Sequence, residues 1–212
     1  MNYGHLIDDT NLHQDATKKD IIDLCTEAKE IEAASVCVNP DYIELSKELL
    51  KGSNVKVCTV IGFPLGSMTT DAKVFEAKDA VEKGAEEVDM VINISKLKEH
   101  EDEYVQNEIH AIKHAIGNIL LKVIFECCLL NDEEIVRACK LSKAAGADFV
   151  KTSTGFSTSG ADVHDVALMR QTVGPDMGVK AAGGIRTPEA LKAMVEAGAN
   201  RIGASHGKNL LK

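Results

Sequence analysis

Three lysines sit inside apolar runs: Lys122 in LLKVIFE, Lys151 in DFVKTSTG and Lys180 in GVKAAGG. Removing an ammonium from water is costly, so a lysine in such a run either threads its stem outward to solvent or is held there by a partner. Lys151 and Lys180 fall at the ends of consecutive predicted strands. A cation beside a second amine favours the neutral form of that amine. A neutral amine adds to an aldehyde. Asp89, in EVDMV, supplies a carboxylate that can hold the second lysine and relay protons. Two lysines and a buried carboxylate are the parts of an imine-forming lyase. Lys56, in NVKVCTV, lies at the start of its strand and is assigned no role.

A second feature points to an anion. The segment AAGGIRTPE follows the Lys180 strand and opens a helix, so its backbone N–H groups can cradle a phosphate with help from the helix dipole. Gly183 and Gly184 lie in it, and the GAS segment Gly203–Ala204–Ser205 can add further donors. A plain tight turn, and an outward salt bridge for Arg186, remain open alternatives.

These residues must be positioned by regular elements, and the chain repeats one device. A helical stretch ends in Gly-Ala and an apolar strand follows, at VEKGAEEVDMVIN, KAAGADFVKTS and VEAGANRIGAS. Glycine takes the left-handed conformation that closes a helix, and a buried parallel strand is apolar throughout. Completing the pattern predicts strands at roughly 5–8, 34–38, 55–61, 87–93, 120–126, 147–151, 178–182 and 200–204. Helices open at Asp132, with DEE in the first turn, and at Thr187, with Pro next. Eight β/α units fit a single (β/α)8 barrel over residues 1–212, with an open doubly wound sheet as the competing architecture. In a barrel the site lies at the C-terminal strand ends. Reading those ends gathers Asp8, Thr10, Cys37, Asp89, Lys122, Lys151, Lys180, Gly203 and Ser205.

Net charge is −9, a poor basis for nucleic acid or anionic lipid but compatible with a local phosphate site. No apolar run is long enough to span a membrane and the N-terminus does not read as a secretion signal, so a cytosolic protein with free thiols is expected. None of the six cysteines forms a CxxC pair. His110 and His114 have i, i+4 spacing but no third ligand nearby, and GASHGK lacks the spacing of a P-loop. No metal or other cofactor is expected. The sequon at Asn93 falls in a predicted strand and is expected to be unmodified. The acidic stretch from Glu99 to Glu103 reads as a solvated helix surface.

The segments VCVNP, VKVCTVIGFPLG, EVDMVIN, LKVI, ADFVKTSTGF, KAAGGIRT and RIGAS, in this order from Ile7 to Ser205, resemble the deoxyribose-phosphate aldolase family. These are class I aldolases on the (β/α)8 fold. The resemblance implies Lys151 as the Schiff-base lysine, Lys180 as the lysine that perturbs it, and Asp89 as the partner of Lys180 and a water in proton transfer. It places Asp8, Thr10, Cys37 and Lys122 along the pocket, with Thr154 also on the substrate, and Gly183, Gly184, Gly203 and Ser205 at the phosphate. It implies a small phosphorylated sugar and acetaldehyde as reactants, and a homodimer or homotetramer. Three positions depart from the family pattern: Asp9 stands where many members have His, Cys127 where Thr is common, and His206 where a small residue is usual. Cys127 is expected to alter the barrel mouth and His206 to affect phosphate affinity. The alternatives are another class I phosphosugar aldolase, a phosphate-binding barrel isomerase, or a non-catalytic sugar-phosphate-binding barrel.

Overall fold

The computed structural model describes residues 3–212. Its eight strands are β1 (Ile7–Asn11), β2 (Ser35–Val38), β3 (Lys56–Ile61), β4 (Glu87–Val91), β5 (Leu120–Ile124), β6 (Phe149–Lys151), β7 (Gly178–Ala182) and β8 (Arg201–Ala204). All pair in parallel with their sequence neighbours, and β1 pairs with β8 to close the barrel. The open doubly wound alternative is therefore excluded.

Crossover helices cover the barrel: α1 (Lys18–Glu30), α2 (Ile43–Leu49), α3 (Thr70–Lys83), α6 (Asp132–Ala144), α7 (Val163–Val173) and α8 (Pro188–Glu196). The β4–β5 crossover holds two, α4 (Ile94–Lys98) and α5 (Asp102–Ile116). Their ends follow local chemistry. Thr17 and Asp20 form a capping box on α1, as do Asn131 and Glu134 on α6. Thr187 caps α8 ahead of Pro188. Gly84 ends α3 in the left-handed conformation, at φ 109°. After β8 the chain makes a 3-10 turn, Gly207–Leu211, whose Lys208 N–H donates to Glu27 of α1. No helix among the described residues is long and apolar enough to cross a membrane.

Strand alternation divides the side chains into two populations. Val88 and Met90 of β4 join the apolar layer beneath the helices, with Leu121, Val123, Val150, Val179 and Ile202. The intervening Glu87 and Asp89 turn to the barrel interior, which is charged.

Three strands differ from expectation at their C-terminal ends. β1 runs three residues later than predicted at its C-terminal end, because the polar run Asp9–Asn11 carries no apolar strand signal although it pairs with β2. β4 stops at Val91, and Asn93 caps α4 instead of lying in a strand, accepting from Lys96 N–H at 3.2 Å. β5 stops at Ile124, because Glu126 adopts φ 58° and ψ 61°.

Candidate active site

Parallel register sets the candidate residues side by side. Lys151 lies opposite Lys180 across β6–β7, and Asp89 lies opposite Lys122 across β4–β5. Their side chains meet on the barrel axis. Asp89 Oδ2 is 2.8 Å from the Lys151 Nζ and 2.8 Å from the Lys180 Nζ. Asp89 Oδ1 is 2.7 Å from the Lys122 Nζ. One carboxylate thus meets three lysine side chains.

A second layer closes the charge network below. Lys180 Nζ also contacts Asp8 Oδ2 at 2.5 Å, and Lys122 Nζ contacts Glu87 Oε2 at 2.6 Å. Arg201 bridges the two acids, with Nη1 2.6 Å from Asp8 Oδ1 and 2.9 Å from Glu87 Oε2, and its guanidinium lies 5.3 Å from the centre of the Phe149 ring. Ser35 Oγ donates to Asp8 at 2.7 Å. Gly203 makes room for this arrangement: a Cβ there would come within 2.9 Å of the Ala182 Cβ and 3.2 Å of the Lys180 stem.

Burial and charge oppose each other here, and charge wins. Burial alone would push the Asp89 carboxyl up, but Lys122, Lys151 and Lys180 hold it well below the usual carboxylate range. Burial would likewise lower the Lys180 ammonium, yet Asp8 and Asp89 raise it above the ordinary lysine value. Lys122 behaves the same way. Asp8, pushed up by burial, is carried below its ordinary value by Lys180, Lys122 and Arg201.

Above this layer opens a cavity of about 440 Å³. Lys151 forms part of its floor, and Thr10, Thr154, Gly183, Gly184, Gly203 and Ser205 line it together with Arg186 and Phe156. Gly183 and Gly184 both have positive φ, 88° and 79°, in the turn that leads to α8. Phe156 packs edge-on against Phe63 at the mouth, with ring centres 5.3 Å apart.

Several expected residues take different places. Asp8, Cys37 and Lys122 do not line the cavity; they are fully buried beneath it, because their strands turn these positions inward below the level of Lys151. Thr154 lines the cavity, but its hydroxyl donates to Glu126 Oε2 and accepts from Phe156 N–H, so it orders the loop. Cys127 lies in the core with its sulfur 4.0 Å from Met169 Sδ, away from the mouth it was expected to alter. His206 is exposed and does not line the cavity. Lys56 is at the opposite end of its strand, exposed, and paired with Glu86 at 2.8 Å. His110 and His114 are exposed on α5, with ring centres 6.5 Å apart. All six cysteines are thiols. Cys37, Cys58 and Asp89 bring two sulfurs and a carboxylate within 4.8 Å of one another, but the Lys122 ammonium already lies against Asp89 Oδ1 and 3.3 Å from the Cys58 sulfur.

Three residues of this region escape sequence reasoning. Glu87 and Arg201 are charged residues at the starts of strands, where solvent exposure is the ordinary reading. Glu126 ends an apolar run and reads as a loop residue. It is a buried, non-glycine residue in the left-handed region, and its carboxylate accepts from Thr154 N–H at 3.1 Å as well as from the Thr154 hydroxyl. Such strain persists where surrounding contacts over-determine it. Here they fix the segment that follows Lys151.

A model of the family described as DeoC/LacD family aldolase matches residues 5–212. The chain belongs to this aldolase family. It is 59% identical to the deoxyribose-phosphate aldolase of Bacillus subtilis (strain 168), covering 100% of this chain and 96% of that one. Among solved structures, QR15, an aldolase, superposes with a TM-score of 0.95 at 39% identity, covering 100% of this chain and 95% of that one. The deoxyribose phosphate aldolase of Aeropyrum pernix, described as a unique tetrameric structure, superposes at 0.90 with 36% identity, covering 99% and 89%. As a family member the protein is an aldolase, a carbon–carbon lyase, and an amine beside a cavity floor is suited to that chemistry.

Proposed function

We propose that this aldolase cleaves 2-deoxy-D-ribose 5-phosphate reversibly to D-glyceraldehyde 3-phosphate and acetaldehyde through a Schiff base on Lys151, in the breakdown of deoxyribose phosphate. The observation that carries the reading is the shared Asp89 oxygen, which holds Lys151 at the cavity floor next to Lys180, whose ammonium form Asp8 and Asp89 favour. The interior cluster contains four basic side chains, Lys122, Lys151, Lys180 and Arg201, against three carboxylates, Asp8, Glu87 and Asp89. It is charge-balanced when one amine is neutral. Lys151 is the one that faces the cavity, and a neutral amine there is a nucleophile.

The Lys151 amine attacks the aldehyde carbon of the open-chain sugar. The carbinolamine loses water and leaves a protonated imine. Removal of the proton from the 3-hydroxyl breaks the C2–C3 bond, and its electron pair moves into the iminium, giving an enamine and glyceraldehyde 3-phosphate. Protonation of the enamine carbon and hydrolysis of the imine release acetaldehyde and restore Lys151. Asp89 Oδ2 touches both amines, so it is the short route for a proton between Lys151 and Lys180 by way of an ordered water. Because the ammonium groups of Lys122 and Lys180 keep it ionised, Asp89 passes a proton on and does not store it. The phosphate binds at the other end of the cavity, on the Gly183–Gly184 turn, Gly203 and Ser205, which line it together with Arg186.

Borohydride reduction in the presence of 2-deoxyribose 5-phosphate, followed by peptide mass mapping, tests this. An adduct on Lys151 is expected. No adduct, or one confined to a surface lysine, overturns the reading. We place the enzyme in the cytosol as a homodimer or homotetramer, which size-exclusion chromatography with light scattering checks.

A further inference from the structure

Asp9 takes no part in the cluster beneath Lys151. Alternation turns Asp8 and Thr10 toward the barrel interior and sends Asp9 outward, beneath the chain that leaves β8. It is fully buried. Its Oδ1 accepts from Gly207 N–H at 3.1 Å, and its Oδ2 has no hydrogen-bond partner among the described residues. A buried carboxyl oxygen left unpaired is costly, and a structure that keeps one usually has a use for the oxygen beside it.

The place of Gly207 supplies that use. It lies two residues after Ser205, which lines the cavity, and it begins the 3-10 turn Gly207–Leu211. The fit is close: a Cβ on Gly207 would come within 2.8 Å of Ile31, 2.9 Å of Ile7 and 3.3 Å of Asp9 Oδ1. The turn is held elsewhere by Leu210, which is buried in the core, and by Lys208, whose N–H donates to Glu27 at 3.0 Å and whose ammonium pairs with Glu30 at 2.8 Å. Of these ties, the Asp9 bond is nearest in sequence to Ser205. It fixes the direction in which the chain leaves the cavity wall.

We propose that Asp9 is a positioning residue for the phosphate-binding end of the cavity: its carboxyl anchors Gly207 and so sets where Ser205 presents its donors. This rests on the reading of that end as the phosphate site. Asp9 touches neither the substrate nor Lys151, so its loss acts on binding of the phosphorylated substrate and leaves the chemical step alone.

The experiment compares steady-state kinetics of wild type, Asp9→Leu and Asp9→Asn with 2-deoxyribose 5-phosphate and with unphosphorylated 2-deoxyribose. Asp9→Leu is expected to raise KM for the phosphate ester roughly tenfold, about what one hydrogen bond supplies, with kcat within about twofold. KM for the unphosphorylated sugar is expected to stay unchanged. Asp9→Asn keeps an acceptor for Gly207 N–H and should restore the wild-type KM. Equal rises for both sugars, a fall confined to kcat, or Asp9→Asn behaving like Asp9→Leu each overturn the proposal. If Asp9→Leu fails to fold, Leu210→Ala loosens the same turn from its other side. It should give the same KM split, and an unchanged KM would overturn the role of the turn. If wild type shows one KM for both sugars, the phosphate reading has failed. Amide exchange at Gly207 then tests the tether alone, slow in wild type and fast in Asp9→Leu if it holds, equal in both if it does not.

Discussion

The molecule buries lysine in two places, with opposite electrostatic results. On the barrel axis, Lys180 meets two carboxylates and Lys122 meets three, and both ammonium groups are held above the ordinary lysine value. Outside the barrel, under α3 and α5, Lys73 meets one carboxylate, Glu108, at 3.0 Å and donates to Val91 C=O at 2.9 Å. There burial lowers Lys73 and raises Glu108, each toward its neutral form. Both sites are fully buried, so the number of opposite charges within reach decides which effect wins. The Lys73 pair is one-to-one and holds the loop after β4 in place through Glu108 and Asn93 N–H. The axial cluster has one base in excess, and the excess base faces the cavity.

Substitutions that separate chemistry from stability sharpen this contrast. Lys151→Met is expected to cut turnover by at least about a thousandfold, since no other lysine among the described residues lines the cavity. Its melting temperature should equal or exceed that of wild type, because the change removes the surplus base. A marked loss of stability would mean that Lys151 serves as a structural cation like its neighbours. Asp89→Asn should lose both properties: activity by a similar factor, and stability by about 3–5 kcal/mol, as ammonium groups are left uncompensated. Denaturant unfolding beside an activity assay reads both. Lys73→Met should give the mirror image of Lys151→Met, with about 3–5 kcal/mol lost on unfolding and activity per folded molecule kept within about twofold. If it abolishes turnover, the two sites are not independent.

Asp9 gives a smaller, pH-dependent effect. Burial, with Glu27 nearby, pushes its carboxyl from 3.8 up to about 7. The folded protein therefore holds this proton more tightly than the unfolded chain. The stabilisation is fully present below 3.8 and is lost as the pH rises to about 7. Asp9→Asn should consequently gain on wild type across that window, by roughly 4 kcal/mol at its upper end, and the difference should be level above it. Thermal melts of both proteins over the pH range check this, and parallel curves would remove the buried carboxyl as the cause. Smallest of all, Lys56→Ala breaks an exposed pair with Glu86 and should cost under about 1 kcal/mol.

The β/α units and the central residues were legible in the sequence, whereas closure into a barrel, against an open doubly wound sheet, came from the pairing of β1 with β8. Apolar strands alternating with capped helices carry enough periodicity to specify parallel β/α units. A lysine within such a strand stands out because its burial demands a partner, which marks Lys151, Lys180 and Lys122 without any coordinates, and Asp89 as that partner. Tertiary structure alone decided which of the expected pocket residues face substrate. Asp8, Cys37 and Lys122 went beneath the floor, Thr154 was engaged by Glu126, and Glu87 and Arg201 joined the charge network from the far ends of their strands. The link from Asp9 to Gly207 spans nearly the whole chain and forms only when β1 closes on β8. The physical reason is common to all of these. Local sequence fixes a strand's alternation, but the depth of each side chain along the barrel axis depends on the stagger between strands, and that exists only once the barrel has closed.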